Sequence, residues 1–343
     1  MKHLLYLIFI GVFFLGCKPS TVVTNNNDPS EIVISTPSKY QAVIPSATKL
    51  DKPYVVTSIE LKETVEFLAS DELKGRATGS VGIENAAVFI ENKFKEYNLK
   101  PYFETYRDPF MVGDLNAYNM VGFLEGQDAK LKEEVIIIGA HYDHIGYGKI
   151  VENDSIANGA NDNAAGTSSV LAMAKYFSES KTNSRSIMFV LFSAEEMGLL
   201  GSKHLADKLK ATDINLYTVL NMEMIGVPFV DRDYVAFVTG YDTSNMATKI
   251  NEYVGSNLIG FSKVAKQYGL FKASDNYPFY EAFKIPSQTI SSCDLSNYNY
   301  YHHVDDEADK LDYVHMASLI NSFIPAVEMI SQTPTKEIVL YEE

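Results

Sequence analysis

The stretch Ile187-Met188-Phe189-Val190-Leu191-Phe192-Ser193-Ala194-Glu195-Glu196 decides the reading of this chain. Its apolar run has the length and composition of a strand buried on both faces. It ends on two adjacent carboxylates, whose like charges push their pKa values apart or demand a cation. One of the pair therefore reads as a proton-transfer base and the other as a metal ligand.

Other segments repeat the pattern. Val135-Ile-Ile-Ile-Gly139 is a second buried strand, running into His141 and Asp143. Tyr217-Thr-Val-Leu-Asn221 is a third, running into Glu223, and Tyr234-Val-Ala-Phe-Val238 a fourth. Ile83, Ala87, Ile90, Phe94 and Tyr97 recur at helical spacing, and Asn98-Leu-Lys-Pro101 closes that helix. A helix with Val170, Ala174 and Phe177 on one face follows Asp162, which also suits an N-cap; Gly198 to about Leu209 reads as another helix. Alternating strands and helices predict an α/β fold with a mixed, largely parallel central sheet flanked by helices. Ligands bind such sheets beyond the carboxyl ends of the strands, where three strands deliver metal-type ligands to one edge.

The 343 residues are 46% hydrophobic, enough for a sizeable core, and carry a net charge of −15. That charge argues against nucleic acid, whose phosphates need Lys and Arg. Met1-Lys2-His3 precedes an apolar run, Leu4 to Leu15, too short to span a bilayer but fitting a secretory leader. Gly16-Cys17 after it resembles the lipobox of bacterial lipoproteins. This resemblance implies a signal peptide over 1–16, a lipid on Cys17 and export to the cell envelope, anchored to a membrane. Residues 17–55, rich in Ser, Thr, Asn and Pro, read as a flexible tether. The folded domain is expected over 56–335, followed by a tail, 336–343. With Cys17 lipidated, Cys293 has no partner for a disulfide and reads as a buried small hydrophobe rather than a nucleophile.

Five segments carry the chemistry: Gly139-Ala-His-Tyr-Asp-His-Ile-Gly146, Gly159-Ala-Asn-Asp-Asn-Ala-Ala-Gly-Thr167, Ser193-Ala-Glu-Glu-Met-Gly198, Asn221-Met-Glu-Met-Ile-Gly226 and Tyr301-His-His-Val-Asp-Asp306. In this order they resemble the M28-type zinc aminopeptidases, co-catalytic dizinc exopeptidases of the zinc exopeptidase, phosphorylase/hydrolase-like fold. The likeness covers about residues 65 to 325. Leu68-Ala-Ser-Asp-Glu-Leu-Lys-Gly-Arg-Ala-Thr-Gly79 is similar to the family's N-terminal region, and the spacing from there to His141 leaves no room for an inserted protease-associated domain.

The resemblance implies that His141 and Glu223 bind one zinc ion, that Glu196 and His302 bind the other, and that Asp162 bridges both. It implies Glu195 as general base, Asp143 as the group orienting His141, and Tyr301 as a hydrogen-bond donor to a developing oxyanion. A hydroxide held between the ions would attack the scissile carbonyl of a peptide with a free N-terminus. Charge agrees: two zinc ions bring four positive charges, and Asp162, Glu196, Glu223 and one hydroxide bring four negative ones.

Three positions depart from the family's usual pattern. Glu223 stands where Asp is usual, His303 where Thr or Ser is usual, and Asn276 where His is usual. His144, His303 and His315 read as supporting or surface residues, and Asp275 and Asp306 as supporting residues without an assigned role. Loops 147–157, 227–233 and 262–280 are the expected pocket walls. Two other functions compete. A glutaminyl cyclase shares the fold but uses one zinc, and the presence of His141, Asp143 and Glu223 favours two. A non-catalytic envelope binding protein on this fold is disfavoured by Glu195 and the near-complete ligand set.

Overall fold

The structure, a computed structural model, describes residues 54–342. The leader, Cys17 and the tether through residue 53 lie outside the described residues.

In chain order the helices are α1 (Ser58–Leu68), α2 (Val81–Glu96), α3 (Gly166–Ser180), α4 (Leu200–Lys210), α5 (Met246–Val254), α6 (Lys263–Tyr268), α7 (Asn276–Phe283) and α8 (Tyr313–Gln332). The strands are β1 (Lys100–Pro101), β2 (Arg107–Val112), β3 (Leu115–Leu124), β4 (Val135–His141), β5 (Gly146–Val151), β6 (Asp154–Ala157), β7 (Ser186–Phe192), β8 (Leu216–Met222), β9 (Ala236–Val238), β10 (Ile259–Gly260) and β11 (Ser287–Ser291). Nine of them form one sheet in the order β1-β3-β7-β4-β8-β11-β9-β10, with β2 on β3; β5 and β6 pair separately.

The centre of the sheet, β7-β4-β8-β11, is parallel, and its flanks join it antiparallel through β3 and β9. Every residue of β4, β7 and β8 is buried, which is why these strands read as unbroken apolar runs rather than alternating ones. Successive side chains take opposite faces. Ile136 and Ile138 pack in the core that includes Phe94 of α2, Phe177 of α3 and Phe323 of α8. Val135, Ile137, Val190 and Phe192 pack with Leu205 and Leu209 of α4 and Phe279 of α7. Each such side chain contributes about 1.5–3 kcal/mol by leaving water, so both faces hold the sheet. α8 is long and apolar enough to cross a membrane by composition alone, but Met316, Ile320, Phe323 and Val327 are buried in the core, so it is a core helix.

After β4 the chain returns on one side of it as β7 and then on the other as β8. That reversal places the ends of three strands side by side, with His141 opposite Phe192 and Gly139 opposite Asn221. The stretch expected as a tail runs against the domain: Ile338 N donates to Tyr217 Oη at 2.8 Å and Val339 N to Asn245 Oδ1 at 2.8 Å.

Arg76 ties the segment after α1 to the loops below the sheet edge. It is fully buried, and its guanidinium donates to the carbonyls of Tyr142 (2.9 Å), Asn158 (2.7 Å), Gly159 (2.9 Å) and Leu68. Gly75 before it has φ +65°, and a Cβ there would meet Ala157 O at 2.3 Å, so only glycine permits this approach. Burial lowers the Arg76 pKa to about 10, against the opposing pull of Asp306, Asp162, Asp143 and Glu196, so it stays charged at neutral pH. An Arg76→Leu change takes the donor from the carbonyls of Leu68, Tyr142 and Asn158, each costing roughly 1–3 kcal/mol when unpaired, while Gly159 O keeps Ala164 N. Urea unfolding should show a loss of at least about 3 kcal/mol; an unchanged midpoint would remove Arg76 from the list of structural anchors.

Candidate metal centre

His141 closes β4 with its ring buried. Its Nε2 faces Asp162 Oδ1 at 3.2 Å and Glu223 Oε1 at 3.3 Å. Its Nδ1 lies 3.1 Å from the backbone carbonyl of Asp143 and 3.7 Å from the Asp143 carboxylate. The ring is thus oriented mainly by that carbonyl. The Asp143 carboxylate instead accepts from Glu195 N (3.2 Å), Glu196 N (3.4 Å) and Thr78 Oγ1 (3.2 Å), anchoring the turn that follows β7.

Asp162 lies in a tight turn, Ala160–Ala165, that precedes α3, and the peptide after it is cis. It does not cap the helix. Asn163 Oδ1 accepts from Gly166 N at 2.9 Å instead, and also from Met224 N at 3.1 Å. Asp162 is held from behind by Asp306, whose two oxygens accept from Asn161 N (2.8 Å) and Asp162 N (3.0 Å). Tyr298 Oη donates to Asp306 Oδ1 at 2.5 Å. The Asp162 carboxylate is thereby aimed into the site, with Oδ1 towards His141 and Oδ2 3.4 Å from His302 Nε2. His302 Nε2 also lies 2.9 Å from Glu196 Oε2.

Donor atoms around a four-coordinate zinc, at ~2.0–2.1 Å from the ion, sit roughly 3.3 Å apart. The His141–Asp162, His141–Glu223, His302–Asp162 and His302–Glu196 separations, 2.9 to 3.4 Å, are close to that edge length. Imidazole nitrogens and carboxylate oxygens are also the donor types zinc takes. The residues present fit two ions sharing Asp162. Donor atoms of Glu195, His141 and Glu223 lie within 4.8 Å of one another, so the base candidate faces the same space.

Glu223 is fixed despite its extra methylene. Ser274 Oγ donates to its Oε2 at 2.9 Å, which leaves Oε1 for His141. Asn221 Nδ2 in turn donates to Ser274 Oγ at 2.8 Å and to Thr289 Oγ1 at 3.1 Å, and Thr289 Oγ1 donates to Asn276 Oδ1 at 2.8 Å. Asn276 therefore supports the floor of the site rather than the ions. His303 stays outside the cluster, its Nδ1 accepting from Asp305 N at 3.1 Å. His144 does not: its buried ring puts Nδ1 2.9 Å from Glu196 Oε1. Sequence reasoning also missed the placement of Arg76, Asp306 and Ser274. None carries a local signal, although the unused Asp306 close behind His302 was a cue.

Electrostatics follow from crowding. Burial raises the Glu195 pKa well above the usual carboxylate range; His141 opposes this, while Asp275, Glu223 and Glu196 add to it. Asp275 is buried, and its oxygens make no hydrogen bond of normal length. Burial lifts its pKa to about 7, with Asp143 and Glu223 adding to the rise. Burial would depress His302, but hydrogen bonds to Asp162 and Glu196 outweigh it and raise the ring to about 10. His141 is likewise raised, burial being outweighed by Glu223, Glu195, Asp143 and Asp162. Tyr301 stacks on the His302 ring at 3.9 Å; burial and the four nearby carboxylates raise its pKa, so its hydroxyl keeps its proton.

A cleft opens from the cluster and is walled by Met224, Phe237, Leu270, Cys293, Leu295 and Tyr301. Of the three loops expected as walls, 262–280 contributes Leu270, Ala273 and Ser274, whereas β9, β11 and residues 293–301 supply what 147–157 and 227–233 do not. Cys293 is free and buried, and burial pushes its thiol up to about 12, which suits a packing role.

The sequence profile of peptidase family M28 matches residues 119–325. Aminopeptidase YwaD of Bacillus subtilis is 30% identical over 167 residues, 48% of this chain and 34% of that protein. The chain thus spans about a third of that relative's length. Among solved structures, a zinc aminopeptidase from Bacillus subtilis superposes with a TM-score of 0.65 at 16% identity, over 86% of this chain and 100% of that one. A glutaminyl cyclase from Fimbriiglobus ruber does so with a TM-score of 0.62 at 16% identity, over 82% and 99%. The fold is shared by both, so the side chains must separate them.

The raised His302 pKa, about 10, keeps that ring protonated in the metal-free protein near neutral pH, and the rise at His141 works in the same direction. Ligation requires neutral imidazole, so metal uptake releases protons and weakens as pH falls. Calorimetric Zn²⁺ titration at pH 7.5, in buffers of different ionisation enthalpy, should show net proton release. A buffer-independent heat would contradict this charge assignment.

Proposed function

The chain belongs to peptidase family M28, and we propose that it is a zinc-dependent aminopeptidase working with two zinc ions. The observation that carries this reading is the Asp162 carboxylate, which turns one oxygen towards His141 and the other towards His302. Glu223 completes the first donor set and Glu196 the second. The relative's name, an aminopeptidase, supports the substrate class.

Zinc ions in this position would supply Lewis acidity and make nearby water more acidic. Glu195 takes a proton from the water whose oxygen bonds to the scissile carbonyl carbon, then delivers it to the amine as the C–N bond breaks. Its raised pKa suits both transfers. Tyr301, kept protonated by its surroundings, can donate a hydrogen bond to the oxygen that gains charge.

The cleft also favours amino- over carboxypeptidase action. Among the described residues lining it there is no Lys or Arg to receive a terminal carboxylate. Its wall of Met224, Phe237, Leu270 and Leu295 suits an apolar first side chain. The apolar run Leu4–Leu15 and Gly16-Cys17 support export and a lipid anchor at the cell envelope as part of the same proposal.

The glutaminyl cyclase reading is favoured only by the shared fold; one zinc per chain with pyroglutamate formation would establish it. On the leading reading, an aminoacyl reporter is cleaved, its N-acetyl counterpart is not, and chelation stops cleavage until Zn²⁺ is restored. Glu195→Gln should keep both ions yet lose about 10²–10⁴-fold in kcat, the usual share of general acid–base catalysis. Full activity in that variant, or equal cleavage of the acetylated reporter, would sink the mechanism.

A further inference from the structure

We propose that His144 is a positioning residue for the zinc ion held by Glu196 and His302: its Nδ1–H donates to Glu196 Oε1 and reserves Oε2 for the ion. The two Glu196 oxygens face different rings, Oε1 that of His144 at 2.9 Å and Oε2 that of His302 at 2.9 Å. Without a donor on Oε1 the carboxylate could pivot and present either oxygen. The proposal rests on the zinc reading above.

The tautomer follows from the other nitrogen. His144 Nε2 is buried and has no hydrogen-bond partner. If Nδ1 were itself a ligand, Nε2 would carry a stranded N–H, at a cost of roughly 1–3 kcal/mol. Ligating histidines usually give that N–H an acceptor, and His141 has one in the Asp143 carbonyl. With the proton on Nδ1 instead, Nε2 is only an idle lone pair. His144 also stands 3.7 Å from Asp162 Oδ2, wider than the other donor separations in the cluster.

The ring has a built seat. Gly159 has φ +60°, and a Cβ there would come within 2.5 Å of His144 Cγ and 2.6 Å of Cδ2. The His144 backbone N–H donates to Arg76 O at 3.3 Å, and the ring meets that of His302 edge-on at 5.7 Å. Seat, backbone tie and neighbouring ligand all fix where Nδ1–H points.

Zinc affinities measured by chelator competition on the full chain test this. Asn places an amide nitrogen where Nδ1 stands, whereas Gln reaches towards Nε2. His144→Ala should keep two zinc ions per chain but weaken one of them about 10–100-fold, as loss of an outer hydrogen-bond partner does. His144→Asn should recover most of that loss and His144→Gln should not. If the alanine variant does not fold, the Asn–Gln comparison decides alone. In a His302→Ala background, His144→Ala should leave the remaining ion's affinity unchanged. Unchanged affinities in both the Ala and Gln variants would overturn the proposal. So would a drop to one ion that Asn does not rescue, which would make His144 a ligand. A wild-type chain that binds no zinc would overturn the proposed function itself, a result distinct from either.

Discussion

Four carboxylates, those of Asp162, Glu195, Glu196 and Glu223, converge at one sheet edge, and their repulsion is the constraint that the surrounding structure answers. Donor atoms of Glu195 and Glu223, and of Asp162 and Glu196, lie within 4.8 Å of each other. At an effective dielectric of about 20, such a pair repels by roughly 3–4 kcal/mol. A few pairs would rival the net stability of a whole domain, about 5–15 kcal/mol. The metal-free fold balances this with a protonated His302, with His141, whose pKa the same carboxylates raise, with the buried Arg76 cation, and with Asp275, whose pKa near 7 leaves it partly neutral. Divalent ions answer the same need more completely, which is the physical reason a cluster of this kind is worth holding together.

The supports divide the oxygens of the carboxylates between holding the structure and facing the site. Glu223 gives an oxygen to Ser274 and Glu196 gives one to His144. Asp162 is steered from its backbone by Asp306, which leaves both of its side-chain oxygens for the site. Asp143 commits both oxygens to the turn that carries Glu195 and Glu196. Precision comes from hydrogen bonds behind the donors rather than from the donors themselves.

Sequence made the centre of the fold legible because β4, β7 and β8 are buried on both faces and so appear as unbroken apolar runs. Among the donors, His141 ends such a strand, Glu196 and Glu223 follow one, and Asp162 sits in a glycine-flanked turn; His302, in a loop with neither mark, was legible only through the resemblance. The supports were not. Arg76 reaches Gly159, and Asp306 reaches Asp162, across long stretches of chain with no local pattern to betray the pairing. The helix after Asp162 begins only at Gly166, whose N–H donates to Asn163 rather than to Asp162. The cleft walls were misassigned in part because β9 and β11 approach the site through sheet order, which a single chain does not display.

The donors run from His141 at the end of a central strand to His302 in the last long loop, and no short segment contains a complete set. A chain that has lost its tertiary arrangement retains stray imidazoles and carboxylates but no chelating centre. Bound metal is therefore a gauge of native assembly in this protein. A preparation with full helical content that fails to take up zinc supplied in excess at neutral pH would be reporting misplaced loops.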